Sequence, residues 1–298
     1  MMQTRSFSER AITRLIQLTG YSSILFVILI LYFLISEGLP ALQDASLQNL
    51  TSTRWYPIEQ LYGILPLILG TLVVTIGAAL IAVPFGVLSA VFLSEIAPNW
   101  VREILKPLVE ILAGFPSVLL GFLGVLVVAP FLRDFLNLPT GLTAFTGSLL
   151  LAGIAMPTIV SIAEDAMNNV PQSYRQAALA VGATRWQTIW GITFPAARSG
   201  ILTAIMLGVG RAMGETMTVM MVTGNAPVMP KSLNALFLPI RTMTATIASE
   251  MGEVAAGSPH YHVLFFIGIV LFVFSLTVNI IATRISQRRQ TRAERVLS

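Results

Sequence analysis

The chain has 298 residues, 55% of them hydrophobic and 11% charged, with a mean hydropathy of +0.80. A soluble globular domain carries about 25% charged residues, so the composition excludes one and defines an integral membrane protein. Cysteine is absent, which excludes disulfides and thiolate metal sites, and the net charge of +4 reads as membrane topology rather than nucleic-acid binding, because the basic residues cluster at the ends of apolar runs.

A bilayer core needs about 20 apolar residues per helix. Six stretches qualify, at roughly 20–39, 64–94, 108–131, 142–163, 197–223 and 263–285. The expected fold is therefore all-α and polytopic, with an N-terminal segment 1–19, a transmembrane domain 20–285 and a basic tail 286–298. The first run, near Tyr21 to Leu39, is too long for a signal-peptide core and is followed by no small-x-small site, so no cleavable signal is expected. Pro84, Pro116 and Pro157 fall inside the second, third and fourth spans and are expected to kink them. Glu110, at the start of the third, reads as an interfacial residue.

Orientation follows from Lys and Arg in alternate loops. One side holds thirteen, from Arg5, Arg10 and Arg14 through Arg102, Lys106, Arg175, Arg185 and Arg198 to the C-terminal cluster, and the other holds Arg54, Arg133, Lys231 and Arg241. The positive-inside rule then puts both termini in the cytoplasm. The loops expected outside, 40–62 and 224–262, show no strand pattern strong enough for a separate domain. Whether 224–262 dips into the membrane is left open by its periodicity.

The cytoplasmic loop 164–195 is the most polar long stretch on its side. Pro171 suits the first position of a helix, residues 171–181 are good helix formers, and Gly182 suits a left-handed C′ position. Thr184-Arg-Trp-Gln187 has capping-box spacing, so a second short helix should begin there and end at Pro195. Trp186 and Trp190, four apart, read either as headgroup anchors or as part of a docking surface.

This loop resembles one in importer permeases of ATP-binding cassette systems. Its form there is Glu-Ala-Ala, three residues, Gly, nine residues, Ile, any residue, Leu-Pro. Gln176, Ala177, Ala178, Gly182, Ile192, Phe194 and Pro195 fall at those spacings, with Gln176 in place of Glu and Phe194 in place of Leu. With Arg175 these residues form the expected ATPase-coupling loop of a MetI-like permease.

The fifth span carries Arg211 and Glu215, one turn apart in an otherwise uncharged stretch. An ionised group at bilayer depth costs roughly 2.5–3.5 kcal/mol on insertion scales. Spaced i, i+4, the two can pair in the absence of an anion, and Arg presents a planar fork suited to phosphate oxygens. Two readings fit: a group in a translocation path, or a structural salt bridge between helices or subunits. Gly210 and Gly214 have the Gly-x-x-x-Gly spacing of close helix approach.

Gly210-Arg-Ala-Met-Gly-Glu-Thr-Met217 is similar to the Gly-Arg-Ala-x-Gly-Glu-Thr signature of phosphate importer permeases. Gly63-Ile-Leu-Pro66 and Ser94-Glu-Ile-Ala-Pro98 are closer to the PstC type than to its paralogue PstA. The resemblance implies a permease subunit in a bacterial inner membrane, carrying phosphate. It implies as partners a PstA-like permease, two cytoplasmic ATPase subunits and an extracytoplasmic phosphate-binding protein. A PstA-like role is the alternative within the same importer, and an ion-coupled secondary transporter the alternative outside it. The two lysines, Lys106 and Lys231, lie in no phosphate-binding Gly-x-x-x-x-Gly-Lys loop, so the chain is expected to be no enzyme by itself and to need no cofactor. His260 and His262 read as surface residues rather than metal ligands.

Overall fold

The computed structural model describes residues 7–297, apart from the side chains of 7–11, 233, 282–283 and 285–297. Arg5 of the predicted N-terminal segment and the side chains of the predicted basic tail lie outside the described residues.

In chain order the helices are α1 (Phe7–Gly38), α2 (Ala41–Asp44) and α3 (Leu47–Leu50), followed by a hairpin of β1 (Trp55–Tyr56) and β2 (Leu61–Tyr62). Next come α4 (Leu65–Val91), α5 (Asn99–Ala113), α6 (Ser117–Leu123), α7 (Ala129–Phe135) and α8 (Ala144–Asn168). The chain continues through α9 (Gln172–Ala180), α10 (Arg185–Thr188), α11 (Phe194–Ala196), α12 (Arg198–Gly214), α13 (Met217–Val222), α14 (Met243–Glu250) and α15 (Pro259–Leu297).

Five stretches among the described residues are long and apolar enough to cross a membrane: Ile12–Asp44, Leu65–Ile96, Ser117–Phe135, Ala144–Asn168 and Pro259–Ile281. A sixth results if Arg185–Ala196 and Arg198–Gly214, bent by 69° at Ala197, count as one. The first is longer than expected at both ends, and the third, fourth and fifth depart from expectation in ways that bear on the site. The third apolar helix begins at Ser117, not 108, because Pro116 stands before the helix rather than inside it. A residue preceding proline is pushed out of the helical region, so Gly114-Phe115-Pro116 separates α6 from α5. The fourth extends to Asn168, which draws Glu164 out of the predicted loop and into the bundle. The fifth stops at Gly214, where Glu215 turns extended (φ −68°, ψ 132°). Pro84 and Pro157 lie inside helices that run through them.

The centre is α4 packed on α8, with α12 against both. Their contact is lined by Val74, Ala78, Ala82, Leu151, Ala155 and Ile159. Small residues let helix backbones approach where lipid supplies no hydrophobic drive. Ser148 adds an interhelical bond, its hydroxyl donating to the Val74 carbonyl at 3.2 Å. Helix α1 lies outside this core against α15, where Phe33 meets Phe265 edge-on at 5.4 Å and Leu34 lies against Gly268.

At one end of the bundle, called here the loop end, Ile189 and Phe194 pack on the termini of α4, α8 and α12. At the far end the segment 224–250 returns into the bundle. Ile240 joins the central core, and Met243, Thr244, Ala245 and Thr246 are buried. The Met243 N–H donates to Thr71 Oγ1 at 3.0 Å, and the Arg241 carbonyl lies so close to Gly70 that any Cβ there would clash. Glu250 gathers three donors: Arg241 at 2.7 Å, His260 Nε2 at 2.8 Å and Trp55 Nε1 at 3.1 Å. His262 pairs with Asp44 at 2.7 Å. The two histidines, read from sequence as surface residues, are thus partly buried hydrogen-bond partners of Glu250 and Asp44 that tie chain segments together.

Candidate functional site at the broken helices

Two helix breaks, at 114–116 and 215–216, meet around Arg211. It sits in the last turn of α12, thirteen residues beyond Arg198, or about 20 Å along the axis at 1.5 Å per residue. Its guanidinium reaches the end of α5, where Nη2 donates to the Ala113 carbonyl at 2.8 Å. Nη1 donates to Thr158 Oγ1 at 3.1 Å, one residue beyond Pro157 in α8. Both partners are neutral oxygens. The carbonyl end of a helix carries partial negative charge, so the α5 terminus is a natural seat for a cation.

Glu215 is not the partner of Arg211. The predicted i, i+4 pair requires a continuous helix, and the chain leaves the helix at Glu215 itself. The carboxylate instead lies 3.4 Å from the Thr218 N–H, at the start of α13. Side-chain hydroxyls stitch the breaks. Thr218 Oγ1 donates to the Ser117 carbonyl at 2.9 Å, and Thr244 Oγ1 donates to the Glu215 carbonyl at 3.1 Å. Irregular backbone at such depth persists only where neighbours satisfy its polar groups or where it lines a cavity. Around Gly210 and Gly214 there is open space, with nothing within 4 Å of a Cβ built at either. The Gly-x-x-x-Gly face therefore approaches no helix among the described residues.

The second group of predicted site residues lies at the loop end. Pro171 stands just before α9, at its N-cap rather than its first position, with extended backbone (φ −54°, ψ 135°). Gly182 takes φ +83°. Its N–H donates to the Leu179 carbonyl and that of Ala183 to the Ala178 carbonyl, the paired bonds of a Schellman terminus. The capping box forms in both directions, the Gln187 N–H to Thr184 Oγ1 at 3.2 Å and the Thr184 N–H to Gln187 Oε1 at 2.8 Å. Gln176, Ala177, Ile192 and Pro195 are exposed, and Ala178 is buried. Trp186, Trp190 and Phe194 form one aromatic row, with centroids 5.6 and 5.0 Å apart.

Arg175 does more than its place in the loop indicated. It donates to the Val170 and Met167 carbonyls at 2.8 and 2.9 Å, and to Glu95 Oε1 at 2.7 Å. Arg185 donates to the Glu95 carbonyl at 2.8 Å. Beside this lies a second acidic group missed in the sequence. Glu164, 1% exposed, takes Lys106 Nζ at 2.9 Å and the Asn168 amide at 2.9 Å. Lys106 also reaches Asp165 at 3.1 Å. Glu95, Lys106, Thr158 and Glu164 left one legible trace, as polar residues interrupting or flanking apolar runs. Glu110, by contrast, is exposed on α5.

A mostly helical bundle with several helices long and apolar enough to cross a membrane, broken helices near Arg211 and a two-helix loop at one end is the architecture of ABC transporter permeases. The fold matches a chain of the methionine ABC transporter MetNI in an inward-facing conformation (TM-score 0.61, 18% identity, 79% of this chain and 99% of that one). It also matches a chain of a bacterial ABC transporter involved in import of the acidic polysaccharide alginate (TM-score 0.58, 18% identity, 92% and 99%). The chain belongs to the family of binding-protein-dependent transport system inner membrane components, whose model matches residues 82–291.

Among curated relatives, it is 42% identical over 246 residues to the probable ABC transporter permease protein YqgH of Bacillus subtilis, covering 82% of this chain and 79% of that protein. It is 34% identical over 276 residues to the phosphate transport system permease protein PstC of Xylella fastidiosa, covering 86% and 83%. To PstC of Mesorhizobium japonicum it is 35% identical over 271 residues, covering 85% and 82%.

Proposed function

We propose that this chain is the PstC-type permease subunit of an ABC importer for inorganic phosphate, acting at the bacterial inner membrane with both termini in the cytoplasm. The observation that carries this reading is Arg211, a cation at depth whose two partners are neutral. An arriving oxyanion meets a guanidinium not already neutralised by a carboxylate. Arg offers parallel N–H donors that fit phosphate oxygens in bidentate fashion, and such charge-assisted bonds are roughly twice as strong as neutral ones. Open space beside Gly210 and Gly214 leaves room for approach. The similarity to PstC proteins supports phosphate as the anion.

In this reading, loop 164–195 faces the cytoplasm and docks one of two ATPase subunits. A PstA-like permease completes the path, and an extracytoplasmic phosphate-binding protein delivers the anion. Substitution Arg211→Gln keeps two N–H donors but removes the charge. ATP-dependent uptake of labelled phosphate by the reconstituted complex is expected to fall at least a hundredfold, with assembly unchanged. Wild-type uptake by that variant would remove Arg211 from the path. Competition by sulfate or molybdate as strong as that by phosphate would overturn the choice of substrate.

A further inference from the structure

Helix α5 is attached to the molecule in an unusual way. None of its 15 residues is buried, and Trp100, Ile104, Leu108 and Ile111 on its outer side are exposed. Polar clamps hold it instead, on one stripe. Arg102, Lys106 and Ala113 are spaced i, i+4 and i+11 and so share a helix face. At the loop end, Arg102 donates from Nε to the Leu93 carbonyl at 2.9 Å and from Nη2 to the Ser94 carbonyl at 2.6 Å. Lys106 is fixed by Glu164 and Asp165. About 10 Å further along, seven residues at 1.5 Å each, the Ala113 carbonyl is held by Arg211.

The junction that holds α5 also holds the loop. Leu93 and Ser94 accept from Arg102, and the next residue, Glu95, accepts from Arg175 through its carboxylate and from Arg185 through its carbonyl. The loop helix α9 buries only Ala178. A cavity of about 500 Å³ opens beside it, lined in part by Asp165, Asn169, Tyr174 and Ser199. An element with few buried contacts and discrete polar clamps moves as a body more readily than one sunk in a core.

We propose that α5 is a strut linking loop 164–195 to Arg211, with Arg102 and Lys106 as positioning residues for the anion site. The proposal rests on the reading of Arg211 as that site. An anion at Arg211 competes with the Ala113 carbonyl and the Thr158 hydroxyl for the same N–H groups, so anion binding loosens the deep end of α5. By linkage, a shift of α5 driven from the loop changes the anion affinity of Arg211 by the same factor.

The test uses the complete importer reconstituted in liposomes. In Lys106→Met, the KM for phosphate is expected to rise about fivefold or more, the lower end of typical allosteric coupling, with more ATP hydrolysed per phosphate carried. Lys106→Arg should return both to within about twofold of wild type. Unchanged KM and ATP ratio in Lys106→Met would overturn the strut. So would a loss confined to the amount of assembled complex, since that marks Lys106 as merely structural. If Lys106→Met fails to assemble, Asp165→Asn decides, because it removes only the exposed half of the clamp. A KM raised about twofold supports the strut and an unchanged KM overturns it.

A second readout is independent of the carried anion. The chain has no cysteine, so Ile111→Cys gives a single label on the exposed face of α5. Its maleimide labelling rate should differ between nucleotide-free and ATP-vanadate-trapped complex, and Lys106→Met should abolish the difference. No nucleotide response in the Ile111→Cys complex overturns the strut. A response in a complex that carries no phosphate overturns the substrate reading and leaves the strut standing.

Discussion

Arg211 gains its character from what it lacks. A guanidinium paired with a carboxylate is electrically spent, whereas one resting on the Ala113 carbonyl and the Thr158 hydroxyl keeps its charge for an incoming group. Gly182 shows the opposite kind of residue effect, a purely conformational one. Its φ of +83° closes the Schellman terminus, and no neighbouring atom crowds it. Gly182→Ala therefore acts through backbone strain alone, about 1–2 kcal/mol. Amide exchange at Gly182 and Ala183 is expected to quicken by roughly five- to thirtyfold, while exchange in α4 and α8 stays unchanged. Uniform quickening across the bundle would show that the turn is not a local unit.

The helices divide by how their boundaries are set. Helices α9 and α10 were legible because their signals are local: Pro171 before the first, Gly182 after it, and the Thr184–Gln187 box opening the second. The apolar cores of the spans were legible from hydropathy. The break at 215–216 was not, since it depends on partners distant in the chain such as Glu215 with Thr244, and Pro116 was read as a kink within a span although it stands just before α6 and separates it from α5. The Lys106–Glu164 clamp joins residues 58 apart along two different helices, and neither position announces the other. The i, i+4 pairing of Arg211 with Glu215 failed for a related reason: it assumed a helix that tertiary contacts interrupt. As an element, 171–191 should be removable without loss of the spans. Its deletion is expected to abolish copurification of the ATPase while the permease pair still assembles. Retained ATPase binding would show that docking lies elsewhere.

On the scale of the whole molecule, the two ends of the bundle are held differently. The loop end rests on clamps around Glu95 and Glu164, and the far end on Glu250. Burial alone pushes the Glu250 carboxyl up, but His260, Arg241 and Trp55 more than offset this and hold it below its ordinary value of 4.5. A depressed carboxylate contributes stability that is complete above the ordinary value and is lost as pH falls through the folded one. At pH 7, Glu250→Gln is expected to cost about 1–3 kcal/mol, as for bonds to a charged group. The gap in unfolding midpoint between wild type and this variant should close as the pH is lowered from about 5 to about 3. A gap that stays constant over that range would show that the carboxylate charge contributes nothing there.

The returning segment 240–250 carries a consequence for access. Met243 is bonded to Thr71 in α4, and Thr244 to the carbonyl of Glu215, four residues from Arg211. In the proposed reading of Arg211, this segment stands beside the anion site toward the far end, a piece of the chain itself and not a seam between helices. Withdrawing it breaks both hydrogen bonds and also exposes Ile240, Met243, Ala245 and Thr246, all buried in the bundle, so the segment stays in place unless a partner binding at the far end offsets that lost burial.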